Sequence, residues 1–118
     1  DKRPASLSGG MRQRVALARV LMEDRPIVLL DEPFAALDAR TRAEMQELAF
    51  EVLEGRTVLL VTHDPAEAVR LGHHLFILSE EGLARVEAPA SPPIREVDAP
   101  ETMEMQARLF HALRGRPA

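Results

Sequence analysis

Cysteine is absent from the 118 residues, and lysine occurs once, at Lys2. Without cysteine there is neither a disulfide framework nor a thiolate metal site, a pattern that fits a reducing compartment and makes the cytosol the expected location. No run of 18 apolar residues interrupts the chain, so no segment is expected to cross a bilayer as a helix. Any link to a membrane then runs through a partner. A net charge of −4 spread over 29% charged residues leaves no basic face for nucleic acid, and no nucleic-acid partner is expected. The chain also shows no internal repeat or low-complexity tract, and no glycine-rich loop followed by lysine. It begins with Asp1 rather than Met, with no charged-then-apolar leader, and is expected to be a piece of something longer. The dominance of arginine over lysine and the abundance of alanine hint at a bacterial source.

What is present suits a single domain with a modest core, since 46% of the residues are apolar. Ser8 stands where a helix cap is wanted, and Met11, Val15, Ala18 and Met22 follow at helical spacing, which predicts a helix over 9–23 closed by Pro26. Ile27 to Leu30 is apolar without alternation, as expected of a strand buried on both faces in a parallel sheet, and Asp31 marks its carboxyl end. Asp38 is a second cap. Met45, Leu48, Ala49, Val52 and Leu53 continue the helical pattern to Gly55. "TVLLVT", Thr57 to Thr62, predicts another doubly buried strand, and Pro65 to Leu71 a short helix with proline in its first turn and Gly72 after it.

Leu75 to Leu78 and Leu83 to Val86, joined by Glu80-Glu81-Gly82, read as an antiparallel hairpin. Four prolines between Glu87 and Pro100 predict an extended loop without a core of its own, and Met103, Ala107, Leu109, Phe110 and Leu113 mark a last amphipathic helix over 101–114. The alternation of strand and helix argues for an α/β layered sheet with right-handed crossovers.

Three stretches could carry chemistry. "SGG" at a helix start admits two readings: a serine cap followed by flexible residues, or small residues that let backbone N–H groups approach an anion at the positive end of a helix. Asp31 and Glu32 close a buried strand at the edge where open α/β sheets bind ligands, and two adjacent acids are costly there without a cation or substrate. His63 follows "LLVT" directly, so it too is expected at a strand's carboxyl end. His73 and His74 open a strand and read as structural, and His111 has no partner suggested by spacing.

"LSGGM", "IVLLDEP", "AALD" and "VTHD", in this order and at these spacings, resemble the second half of an ABC transporter ATP-binding subunit, from Leu7 to about Ser79. The resemblance implies a partial P-loop NTPase fold: layered α/β, a mostly parallel sheet with flanking helices, lacking the Walker A half. It implies that Leu7, Ser8, Gly9, Gly10 and Met11 form the signature loop, which meets ATP held by the other subunit of a head-to-tail dimer. Asp31 would hold Mg²⁺ through water, and Glu32 would polarise the attacking water as general base. Ala35, Ala36, Leu37 and Asp38 would form the D-loop that contacts the opposite subunit, and His63 the switch histidine on the γ-phosphate. Gln13 and Arg14 would support the loop.

Two departures stand out. The fifth signature position, often glutamine, is Met11. The family's Walker A lysine, its aromatic adenine contact and its glutamine-bearing loop belong upstream of the signature and are not among these residues. The expected organisation is therefore residues 1–88 as the C-terminal portion of the ATPase domain, 89–100 as a Pro-rich connection and 101–118 as a helix and tail.

The expected function is ATP hydrolysis by a subunit of an importer, working with a second ATP-binding subunit, transmembrane permease subunits and a periplasmic or extracellular substrate-binding protein, on the inner face of a bacterial cell membrane. The 118 residues alone are expected to be inactive. "DEPFAALD" and "THDPAEAVRLG" are similar to the nitrate, sulfonate and taurine group and to transporters of hydroxymethylpyrimidine, a thiamine precursor, with an inclination toward the latter. The alternatives are a non-transport ABC ATPase of DNA repair or chromosome organisation, and a non-catalytic interaction fragment.

Overall fold

The computed structural model describes the backbone of residues 4–115 and the side chains of residues 11–115. It divides into two compact units, Asp1–Val61 and Thr62–Ala118.

The first unit runs α1 (Pro4–Glu23), β1 (Ile27–Asp31), α2 (Ala39–Val52) and β2 (Thr57–Val61). The strands pair in parallel, Ile27 opposite Thr57 through Asp31 opposite Val61, so both end at the same edge. An α-helix connecting two parallel strands is the crossover that parallel pairing requires. α2 forms as its sequence demands. Asp38 sits in extended backbone and accepts a hydrogen bond from Thr41 N–H at 2.8 Å, Met45 and Ala49 are buried, and Leu53 closes the helix two residues before Gly55 takes φ 89°. α1 packs on α2, and Arg56 fastens its far end by donating to the Val20 carbonyl at 3.1 Å and pairing with Asp24 at 3.7 Å.

Three expectations are corrected here. α1 starts at Pro4, not at Gly9, so Ser8 lies within the helix rather than capping it. Proline suits the first helical position, where its missing N–H has no intrahelical partner to lose. The positive end of the helix therefore falls at Pro4. Second, among the described side chains of α1 Leu17 is the buried one, with Gln13 and Val20 half-buried, whereas Met11, Val15, Ala18 and Met22 are exposed. Third, β1 and β2 are not buried on both faces. Val28 is 5% exposed, but its neighbours Ile27 and Leu29 are 69% and 63% exposed, and Leu59 and Val61 lie open beside them on β2. Side chains alternate across a strand, so these four share one uncovered face with Asp31. An apolar strand is built for two covered faces; here buried Val28 and half-buried Leu30 mark the better covered one.

The second unit runs α3 (Pro65–Leu71), β3 (Leu75–Ser79), β4 (Gly82–Val86) and α4 (Pro100–Leu113). β3 and β4 are antiparallel, with Ser79 opposite Gly82 across the two-residue turn Glu80–Glu81, and Gly82, which opens β4, has φ 117°. Among the described residues the expected mostly parallel sheet is thus one parallel pair and one antiparallel pair. Val69, Leu75 and Leu109 form the core, with Ala68, Ile77, Val86, Ala88 and Met105 against it. On α4 the buried side is Thr102, half-buried Met105 and Leu109, at i, i+3 and i+7, while Met103, Ala107, Phe110 and Leu113 face outward.

The Pro-rich segment is irregular, as expected, but Arg95 anchors it. This side chain is only 4% exposed and donates to four backbone carbonyls: Ser91 at 2.7 Å, Val69 at 2.8 Å, Gly72 at 2.6 Å and Pro89 at 3.2 Å. Its own N–H bonds the Arg70 carbonyl at 2.9 Å. Burial strips water from the guanidinium and lowers its pKa from the ordinary value. A cation at the C-terminal carbonyls of α3 also meets the negative end of a helix dipole.

Thr102 is 2% exposed, and its Oγ1 has no hydrogen-bond partner. A buried hydroxyl left unmatched carries a desolvation cost that an apolar isostere does not. Thr102→Val is therefore expected to stabilise the chain by about 1 kcal/mol, read as a rise in the thermal midpoint; a fall would show that the hydroxyl has a partner.

Candidate functional site

The chemistry-bearing residues of the first unit gather where β1 ends. Asp31 is the last residue of the strand, exposed on the uncovered face. Glu32, half-buried, is the next, and its backbone takes φ 49°, the left-handed region that a residue with a Cβ enters only at a cost. It is held there from both sides. Its N–H donates to the Val61 carbonyl at 2.8 Å, extending the strand pairing by one bond, and its carbonyl accepts from Ala35 N–H at 3.4 Å. The turn reverses the chain at once, which separates the Glu32 side chain from the alternation of the strand. The sequence signal for this was Pro33, which cannot continue a ladder; the left-handed backbone itself had no signal.

From Pro33 the chain loops to α2. Phe34 and Leu37 are buried, and Ala35 and Ala36 between them are exposed. Leu37 N–H donates to the Phe34 carbonyl at 3.2 Å, and the guanidinium of Arg42 reaches the carbonyls of Phe34 at 3.4 Å and Leu37 at 2.7 Å. Asp38 then caps α2. Sequence reasoning missed Arg42, because a side chain that binds main-chain carbonyls leaves no mark on its partners' identity.

Leu7, Ser8, Gly9 and Gly10 lie in the backbone of α1, and their side chains fall outside the described residues; Met11, one position on, is exposed. His63 belongs to the second unit. It is exposed, in the bend between β2 and α3, one residue before Asp64, which caps α3 by accepting from Ala66 N–H at 3.0 Å. Thr62 Oγ1 accepts from Asp64 N–H at 3.0 Å, so the bend around His63 is fastened on both sides. His74 Nδ1 lies 2.9 Å from Arg85 Nη2 across the hairpin.

Among the described residues no group of three or more His, Cys, Asp or Glu side chains could hold a metal ion. Magnesium does not need such a cage: it keeps several waters and takes one or two carboxylates together with substrate phosphates. Exposed Asp31, with Glu32 beside it, fits that modest requirement. No helix among the described residues is long and apolar enough to cross a membrane.

A sequence profile described as ABC transporter matches residues 1–35. The chain is 47% identical over 116 residues to an uncharacterized ABC transporter ATP-binding protein of Haemophilus influenzae, a match covering 94% of this chain and 48% of that one. It is 50% identical over 99 residues to the aliphatic sulfonates import ATP-binding protein SsuB 1 of Rhodococcus jostii, covering 81% and 40%. To the thiamine import ATP-binding protein ThiQ of Cereibacter sphaeroides it is 44% identical over 105 residues, covering 87% and 44%. The matches thus cover less than half of each of these relatives.

Proposed function

Because the chain belongs to the ABC transporter ATP-binding protein family, we propose that it is the signature-bearing half of an ATP-hydrolysing subunit that powers import of a small molecule. The observation that carries this reading is the adjacent pair Asp31 and Glu32, set at the edge where β1 and β2 both end and with Glu32 turned out of the strand. Open α/β sheets bind ligands at that edge.

On this reading Glu32 accepts a proton from the water that attacks the γ-phosphate, and Asp31 orients a magnesium ion through water. Bound with ATP, magnesium neutralises charge that develops on the phosphate oxygens. His63 donates a hydrogen bond to the γ-phosphate. Leu7, Ser8, Gly9, Gly10 and Met11 face the nucleotide of a second subunit, and Ala35 to Asp38 face the subunit itself. Closure around ATP pulls on permease subunits in the membrane, and hydrolysis reopens the dimer. Relatives named for aliphatic sulfonate import and for thiamine import support an importer with a small organic molecule as cargo, and an importer's ATP-hydrolysing subunit works at the inner face of the cell membrane.

The phosphate-cradling lysine loop is not in these residues, so each nucleotide site is divided between this sequence and sequence it lacks. Calorimetric titration with Mg-ATP tests this. An intact subunit carrying this sequence is expected to bind and hydrolyse ATP, and the 118 residues alone to give no binding heat. Comparable binding by the 118 residues would overturn the division, and an intact subunit without ATPase activity would overturn the reading itself.

A further inference from the structure

The loop between β1 and α2 is built like a staple. Two buried legs, Phe34 and Leu37, flank an exposed tip, Ala35 and Ala36. Its internal bonds, Ala35 N–H to the Glu32 carbonyl and Leu37 N–H to the Phe34 carbonyl, are long at 3.4 and 3.2 Å. Bonds of this length hold the exposed tip of a turn loosely. The shorter contact comes from elsewhere. Arg42, in the first turn of α2, places Nη2 at 2.7 Å from the Leu37 carbonyl and Nε at 3.4 Å from the Phe34 carbonyl, so one rigid fork grips the main chain at both legs. Asp38 ties the same turn through Thr41 N–H at 2.8 Å. The charged donor strengthens these bonds, and the planar fork fixes the spacing between the two carbonyls.

Resting on the ATPase reading above, we propose that Arg42 is a positioning residue: it locks the Glu32–Asp38 segment to α2, so that the base at one end and the tip offered to the second subunit at the other move as one body. A lysine cannot reproduce this, since a single ammonium on a flexible stem does not present a fixed two-carbonyl fork. The partner read by the tip is a second copy of the subunit, approached through two alanine methyl groups and main chain.

The test compares wild type, Arg42→Lys and Arg42→Gln in an intact subunit, reading steady-state ATPase activity and amide hydrogen exchange. The lysine variant keeps charge and stem, which guards against simple unfolding. Both variants are expected to lose about 10- to 100-fold in kcat with KM for ATP changed by less than about twofold. The Ala35 and Leu37 amides should exchange at least about 10-fold faster while Leu59 and Val61 in β2, whose N–H groups face β1, keep their protection. Unchanged exchange at Ala35 and Leu37, retained kcat, or loss of protection in β2 as well would each overturn the proposal. A wild-type subunit without ATPase activity would instead remove the ATPase reading, and the exchange comparison would still decide whether Arg42 holds the loop.

Discussion

Glu32→Gln in an intact subunit is expected to lower kcat for ATP by about 10²- to 10⁴-fold, the usual contribution of a positioned general base, while ATP binding persists. Glutamine matches glutamate in size and can sit in the same turn. The bond from its backbone N–H to the Val61 carbonyl and the acceptor for Ala35 N–H involve only main chain and survive the change. What is lost is a carboxylate able to take a proton. The variant should therefore accumulate as an ATP-bound closed dimer, seen as a nucleotide-dependent shift in size-exclusion chromatography. Glu32→Gly makes the complementary control. Glycine enters the left-handed region at φ 49° freely, so it should remove turnover as well without loss of thermal stability. Turnover near the wild-type rate in either variant would assign the base elsewhere.

Arg95→Met is the second large effect, and it falls on stability. Methionine keeps much of the aliphatic volume and removes the donors that hold the Ser91, Val69, Gly72 and Pro89 carbonyls. These carbonyls lie where the Pro-rich segment meets the end of α3, and without a donor each loses a charge-assisted bond. The bonds are not additive, since water can reach part of the gap, and about 3 kcal/mol of destabilisation is expected. Urea unfolding followed by circular dichroism at helix wavelengths measures it. A loss below about 1 kcal/mol would mean that water replaces the guanidinium and that the segment is held by its apolar contacts alone.

The contrast between these residues shows what a sequence can display. α2 was legible because Asp38, Met45, Ala49 and Gly55 each act within a few positions of one another, and cap, periodicity and stop are local properties. The hairpin of β3 and β4 was legible for the same reason. Asp31, Glu32 and His63 could be singled out as the acids and the imidazole that follow apolar runs.

Arg42, Arg56 and Arg95 could not. Each acts on carbonyl oxygens of Phe34 and Leu37, of Val20, or of Val69 and Gly72, and a carbonyl belongs to every residue alike. The exposed faces of α1, β1 and β2 failed for another reason. Hydrophobicity states what a strand or helix needs to be covered by, and Ile27, Leu29 and Val15 state it correctly; whether a neighbour supplies the cover is a property of the rest of the chain. Ser8 was misplaced because Pro4 begins a helix as well as serine does, and nothing between them stops it.

The open face of β1 and β2 has a consequence in heat capacity. Exposed apolar surface orders its hydration in a way that raises the heat capacity of whatever state exposes it, and Ile27, Leu29, Leu59 and Val61 already do so before unfolding. The native first unit therefore carries hydration that a closed sheet shows only when denatured. The increment on unfolding shrinks accordingly, and the dome that relates stability to temperature flattens. Covering that one face would do more than add contacts: it would restore the curvature that gives a fold a temperature at which it is most stable.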